Sequence, residues 1–339
     1  MSDGYRFTPD LQPAGQPNLP FTLPSPDRPC RVLIDTDTAA EVDDQFALTY
    51  ALLSPDRIEL EAVTAAPFIA PRRGIDSPNA VDYSHAEILA VYAALGLGND
   101  QRPATAKGSR QWIREADGPV RSDAVDLIIE RARAEETDGP LYILAIAAPT
   151  NVTSALQLAP DIRSRVVVCW LGGQPTNYPT AWEYNGKHDP PATRGLFRSG
   201  VPLMMIPGKN VSELLRVTVP EMDAYVRPHG EIGRFLAGRV AAYHPEHRHR
   251  GWSKILWDLA NVGWIIQPEW VPTVCRDRVV ADDAFKWQAC SGPPMLEAVD
   301  LYRDRILTDF YAKLERYAQQ RAAPAADADR RATPSAAVS

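Results

Sequence analysis

The chain has 339 residues, 45% of them hydrophobic, and a formal net charge of −7. That length can bury a substantial core, and the acidic balance, with no basic stripe, argues against a nucleic-acid partner. Cys30, Cys169, Cys275 and Cys290 are scattered with no CxxC pair, so they read as reduced thiols and not as a zinc site or disulfide frame. No basic start leads into an apolar core, and no apolar run is long enough to span a bilayer, so a cytoplasmic protein with no membrane partner is expected.

Residues 1–30 are rich in proline and polar residues and follow no period, which predicts an extended arm. Arg31 to Pro55 then reads RVLIDTDTAAEVDDQFALTYALLSP. Val32 to Ile34 fits a buried strand, and Phe46 to Leu53 recurs at helical spacing up to Ser54-Pro55. Ile58 to Thr64 is a second strand, and Ala65 to Asp82 an irregular loop. Helices are predicted over His85 to Leu95 and Ala124 to Ala134. Leu141 to Ala148 is a buried strand running into Pro149-Thr150-Asn151, with a helix over Val152 to Leu158. Val166 to Leu171 and Val201 to Ile206 are further strands, separated by Gly172-Gly173 and a loop from Gln174 to Asp189. Glu231 to Tyr243, Ser253 to Ile266 and Leu296 to Gln319 read as helices, and Arg276 to Trp287 as late strands. Residues 321–339 are an Ala-rich, disordered tail. Strands alternating with helices predict an α/β fold, Rossmann-like, with a largely parallel central sheet flanked by helices. No linker splits the core, so residues 31–320 read as one domain.

Four stretches carry chemistry. Asp35 and Asp37 follow the first strand, and Asp43 and Asp44 open the next helix. A helix N-terminus tolerates some negative charge, but four carboxylates exceed what capping explains. A hard divalent cation with oxygen ligands is the simplest compensation. An EF-hand loop is excluded, because its glycine and glutamate positions, counted from Asp35, hold Ala40 and Phe46. Pro149-Thr150-Asn151 can turn a carbonyl toward such an ion, although, taken alone, Thr150 or Asn151 is better read as a plain helix cap. The loop GGQPTNYPTAWEYNGKHD offers Asn177, Glu183 and Asn185, a set suited to a polyhydroxylated ligand, against the plainer reading of a solvated loop. Asp258 lies inside an apolar helical run and needs a partner, either a metal or Lys254 one turn earlier.

Taken together, these stretches resemble one family, the nucleoside hydrolases. The signature appears as Asp35-Thr36-Asp37 and Asp43-Asp44, with a linker about two residues longer than usual. Pro149-Thr150-Asn151, Gly172-Gly173 with Asn177, Glu183-Tyr184-Asn185, and Asp258 match the later motifs in order. The ending AVDLYRDRILTDFYAKL resembles the family's closing helix.

The resemblance implies a nucleoside-hydrolase-like fold and hydrolysis of the N-glycosidic bond of a ribonucleoside or related riboside. One Ca²⁺ per subunit would be held by Asp37, Asp44, the Thr150 carbonyl and Asp258, with Asp37 activating the attacking water. Asp43 would bond the sugar diol, Asn177, Glu183 and Asn185 would hold the ribose, and Asp35 would orient the site from behind. It also implies a homodimer or homotetramer.

Two departures stand out. Trp257 occupies the position of a common histidine that serves the leaving group; it could stack on a base. Phe68 stands near a usual asparagine. His247 or His249, in YHPEHRHR, is the candidate leaving-group acid, against the plainer reading of a mobile charged loop.

Two other functions compete. A strand ending in DxD also opens haloacid-dehalogenase-like Mg²⁺ phosphatases, but Thr38 is misplaced and Asp258 goes unexplained. A non-catalytic riboside binder would keep the site without turnover.

Overall fold

The computed structural model describes residues 20–25, 27–75, 77–134, 139–243 and 251–322. The first half runs β1 (Cys30–Thr36), α1 (Asp43–Leu52), β2 (Ile58–Ala65), α2 (Ser77–Ala94), β3 (Ala104–Lys107), α3 (Ile113–Ala116), α4 (Asp123–Arg133), β4 (Leu141–Ala145) and α5 (Thr150–Leu158). It continues through β5 (Val166–Leu171), α6 (Tyr184–His188), α7 (Pro190–Arg198), β6 (Leu203–Ile206), β7 (Arg216–Thr218), α8 (Val219–Tyr225) and α9 (Gly230–Ala242). The last part is β8 (Ser253–Ile255), α10 (Leu259–Ile266), β9 (Thr273–Arg276), β10 (Val279–Ala281), β11 (Trp287–Ala289), β12 (Met295–Ala298) and α11 (Arg303–Ala322).

An eight-stranded sheet in the order β3-β2-β1-β4-β5-β6-β12-β9 forms the centre. All its pairs are parallel except β12 with β9. A parallel sheet needs helical cover on both faces, so its central strands β4, β5 and β6 are buried and apolar throughout. In β1, Val32 and Ile34 enter one core with Phe46 and Leu48 of α1, while Leu33 enters the opposite core with Ile143 and Val152. Strand order reverses between β1 and β4, and the loops after those two strands open at the same edge. Ligands bind at such a switch point in open α/β sheets. No helix among the described residues is long and apolar enough to cross a membrane.

The predicted fold class is the observed one, with local corrections. Ser253 to Ile266 is not one helix: Ser253–Ile255 pairs with β7 as strand β8, and the helix begins only at Leu259. Leu296 to Gln319 is likewise split, because Met295–Ala298 inserts between β6 and β9 as a buried strand. Short apolar runs do not distinguish helix from strand by period, and here the sheet edges decide. Helix α2 begins within the predicted loop, at Ser77, and two helices, α6 and α7, lie at and beyond the end of the loop expected over Gln174 to Asp189. Residues 1–19 of the predicted arm and 323–339 of the tail lie outside the described residues. Of the arm's described part, Phe21 and Leu23 pack on the core, and Tyr142 Oη donates to Thr22 O at 3.0 Å.

Ile34 is fully buried immediately before Asp35. Ile34→Ala leaves a void between β1 and its helical cover and should cost about 2–5 kcal/mol. Urea unfolding followed by far-UV circular dichroism measures it; a loss under about 0.5 kcal/mol would contradict the packing described.

Candidate active site

The site begins where β1 ends. Asp35, still inside the sheet, is fully buried; its Oδ1 accepts from Thr64 Oγ1 at 2.7 Å and Asn151 Nδ2 at 2.9 Å. Its Oδ2 has no hydrogen-bond partner. Burial pushes the Asp35 carboxyl up to about 6, against the pull of those two donors. Gly108 permits this packing, since a Cβ there would lie 2.2 Å from Ala65 O and 2.5 Å from Asn151 Nδ2.

Beyond the strand, a tight turn closed by Ala40 N donating to Asp37 O at 2.6 Å leads into α1. Val42 occupies the N-cap without a side-chain cap bond, so Asp43 and Asp44 sit in the first turn instead of at the cap. Thr36 Oγ1 donates to Asp44 Oδ1 at 2.6 Å. Asp37, Asp43, Asp44 and Asp258 are each only 2–3% exposed. Burial raises all four carboxyls, and their mutual repulsion adds to it. Asp37 stands well above the ordinary range through burial and then the charges of Asp44 and Asp43. Asp258 does so through burial and then Asp43, Asp44 and Asp37. Asp44 is pushed up to about 7 by burial and then by Asp43.

These four acids and Glu41 line one cavity of about 280 Å³ together with Glu183, Asn185 and Trp257. Asp258 is not inside a helix, as the spacing predicted, but is the residue from which α10 starts, with no side-chain cap bond. The turn after β8 therefore delivers both Trp257 and Asp258 to the cavity. Lys254 is not the partner of Asp258. Its Nζ lies 2.6 Å from Glu41 Oε2 and 3.5 Å from Asp43 Oδ1, and it is 5% exposed. Burial works against that ammonium, but Asp43 and Glu41 more than reverse the effect and hold its pKa above the usual lysine value.

Glu183 caps α6, accepting from the backbone N–H groups of Gly173 at 3.0 Å, Asn185 at 3.0 Å and Gly186 at 3.1 Å. It pins the glycine turn after β5 to the far side of the cavity. Asn185 Nδ2 donates to Leu171 O at 3.0 Å and Ile146 O at 3.4 Å, joining the ends of β5 and β4.

Not every expected residue reaches the wall. Asn177 is exposed and is not among the residues lining the cavity; Gln174, Lys209 and Ser212 line it on that side. The carboxylate of Glu297 explains part of this, because it holds the neighbouring Thr176 through N at 2.8 Å and Oγ1 at 2.7 Å. Thr150 opens α5 behind the wall and donates its hydroxyl to Asp189 Oδ2 at 2.8 Å. Phe68 is fully buried in an apolar cluster with Ala39 and Ala40, beneath the linker. His247 and His249 lie outside the described residues.

Sequence reasoning missed Glu41, Asp189 and Glu297. Glu41 was legible only as one more charge in the linker. Asp189 and Glu297 gave no local signal, since their partners are distant in the chain.

The cluster fits a hard cation. Asp43, Asp44 and Asp258 each present an oxygen within 4.8 Å of the others. Asp37 Oδ2 and Asp43 Oδ1 are buried without hydrogen-bond partners. All-oxygen donors suit Ca²⁺, Mg²⁺ or Mn²⁺. Asp43, expected only at the sugar, thus belongs to the tightest acid group.

Three comparisons bear on this geometry. Residues 32–330 match the family model described as inosine-uridine preferring nucleoside hydrolase. The pyrimidine-specific ribonucleoside hydrolase RihA of Salmonella typhimurium is 24% identical over 272 residues, 72% of this chain and 82% of the relative. A plant nucleoside hydrolase superposes with a TM-score of 0.68 at 22% identity, covering 85% of this chain and 99% of its own. A purine-preferring ribonucleoside hydrolase from Gardnerella vaginalis gives a TM-score of 0.64 at 24% identity over 86% of this chain and 99% of its own.

The raised carboxyls have a consequence for stability. The folded chain holds protons that the unfolded chain has released, so their contribution is complete below about pH 4. It is lost as pH rises through about 6 for Asp35 and about 7 for Asp44. Metal-free protein should therefore melt at a lower temperature near pH 8 than near pH 5, and a saturating divalent cation should flatten that profile. Scanning calorimetry tests this; a metal-free protein that melts higher near pH 8 would contradict it.

Proposed function

The chain belongs to the inosine-uridine preferring nucleoside hydrolase family, and from that premise we propose that it hydrolyses the N-glycosidic bond of a ribonucleoside or related riboside with one Ca²⁺ per subunit. The observation that carries the reading is the convergence of Asp37, Asp43, Asp44 and Asp258, from both ends of the chain, on one small cavity at the switch point of the sheet. Asp37, Asp44 and Asp258 would hold the ion, and Asp43 stands close enough to share it; the Thr150 carbonyl, expected with them, is not among the groups lining the cavity. When bound, such a cation fixes the sugar diol and makes a neighbouring water more acidic.

The residues supply the rest. Cleaving the bond develops positive charge on the sugar, as in other oxocarbenium-like glycoside hydrolysis. A dry wall of carboxylates favours that charge more than the neutral ground state. Asp37, with one oxygen unpartnered, accepts the proton of the attacking water. Asp43 bonds the diol, while Glu183 and Asn185, locked by backbone groups, set the depth of the sugar. Asn177 enters this set only if its loop turns inward. Asp35, tied by Asn151 and Thr64, keeps the end of β1 in place.

The half-buried indole of Trp257 offers a flat face to the base. It has no useful proton to give, so His247 or His249 is the proposed donor to the leaving group. A homodimer or homotetramer in the cytoplasm belongs to the same reading, carried by the family resemblance. The phosphatase alternative gains nothing from the geometry, which places Asp258, Glu183 and Asn185 beside the DTD pair.

Ribose release from purine, pyrimidine and nicotinamide ribosides, with and without a chelator, tests the proposal. Asp37→Asn should lower kcat by about 10²–10⁴-fold, the usual worth of a general base, with an unchanged circular dichroism spectrum. Wild-type turnover by that variant would remove Asp37 from its role. Riboside binding without release by the native chain would favour the non-catalytic binder.

A further inference from the structure

The cavity holds one carboxylate more than its helix start and its ion account for, and one lysine is buried against it. Lys254 is held in place by the β7–β8 pairing, opposite Val217, and by Leu256 N donating to Leu215 O at 2.9 Å. Its Nζ is ringed by Glu41 Oε2 at 2.6 Å, Ile255 O at 2.7 Å and Asp43 Oδ1 at 3.5 Å, and it sits 5.2 Å from the Tyr243 ring centroid. Burying an ammonium is costly unless its partners are well placed. Both of these acidic partners line the cavity, and Lys254 does not.

Asp43 is the shared member. It belongs to the group of three oxygens within 4.8 Å that could hold a metal, and it also faces Lys254. Glu41 lies in the linker between the two Asp pairs, the stretch that is longer than the family signature. The lysine thus pairs with one carboxylate outside the three-acid group, Glu41, and with one inside it, Asp43.

We infer that Lys254 is the resident counter-ion of the acid cluster, a positioning residue that binds Glu41 outside the three-acid group, competes with the cation for Asp43, and holds the cluster together before an ion arrives. This rests on the divalent-cation reading above. It lowers metal affinity in exchange for a folded, pre-shaped metal-free site. Asp43 is kept toward the sugar because one side of it is anchored.

The test uses the full chain, with Ca²⁺ binding measured by calorimetry and metal-free stability by thermal melting. Lys254→Met removes the charge at similar length. It should tighten Ca²⁺ by at least about tenfold, because a like charge beside the ion's carboxylates is removed. It should also lower the metal-free melting temperature. At saturating Ca²⁺ its kcat should fall with little change in KM, and Lys254→Arg should recover most of each property.

Glu41→Gln is the second arm, useful if Lys254→Met folds poorly without metal. It leaves the lysine to Asp43 alone and should weaken Ca²⁺, the opposite sign. A merely structural lysine would weaken Ca²⁺ in both variants or change neither, and either result overturns the inference. If the native chain binds no divalent cation at all, the reading it rests on falls with it. If the native chain binds and Lys254→Met is not tighter, only the inference falls.

Discussion

Everything at the site depends on keeping several carboxylates within a few ångströms of one another in a place with little water. Like charges so close favour either protonation or a cation. The fold prevents them from relaxing apart. Asp37 follows directly from the central strand, Asp43 and Asp44 are held by the first turn of α1, and Asp258 is delivered by the turn before α10. None of these backbones can move without disturbing a core that is buried on both faces of the sheet. The repulsion is therefore retained in the folded state as binding capacity for positive charge. In this structure part of that charge is supplied by Lys254.

A set of buried polar side chains carries this constraint outward. Asn151 joins α5 to Asp35, and Thr64 joins β2 to the same carboxylate. Asp189 gathers the start of α3, through Ile113 N at 2.8 Å, and Thr150 of α5. Glu297 on β12 holds the loop after β5 and is itself paired with Arg276 at 2.8 Å. Asn151, Asp189 and Glu297 also accept from the backbone N–H groups of Ser109, Ile113 and Thr176, which is what makes such positions costly to change. They explain how a cavity wall built largely from loops can be stiff.

Trp257 brings apolar surface to the cavity wall, while Phe68 is buried beneath the linker and does not line it; Glu41 lines the cavity and is paired with Lys254. Asp37, Asp43, Asp44, Glu183 and Asn185 all line the same cavity. The likeness to solved nucleoside hydrolases, at TM-scores of 0.68 and 0.64, speaks for the fold and not for the preferred base.

The sequence by itself determined the parallel sheet, because strands buried on both faces must be apolar runs, and VLI, LYILAIAA and VVVCWL can be little else. It also pointed to the acid cluster, since Asp37 follows a strand and Asp43 and Asp44 open the next helix, at the sheet edge where ligands gather. Only the tertiary structure decided the rest. Whether Ser253 to Ile255 and Met295 to Ala298 are helix or strand depended on the edges they met. Lys254 looked like a partner for Asp258 one turn away, yet strand pairing turned it toward Glu41 and Asp43. Asn177 matched a motif and still lies off the wall, because Glu297, distant in the chain, holds the loop beside it. Local pattern reports what a segment can be; which charge meets which is settled by contacts between segments that share no sequence neighbourhood.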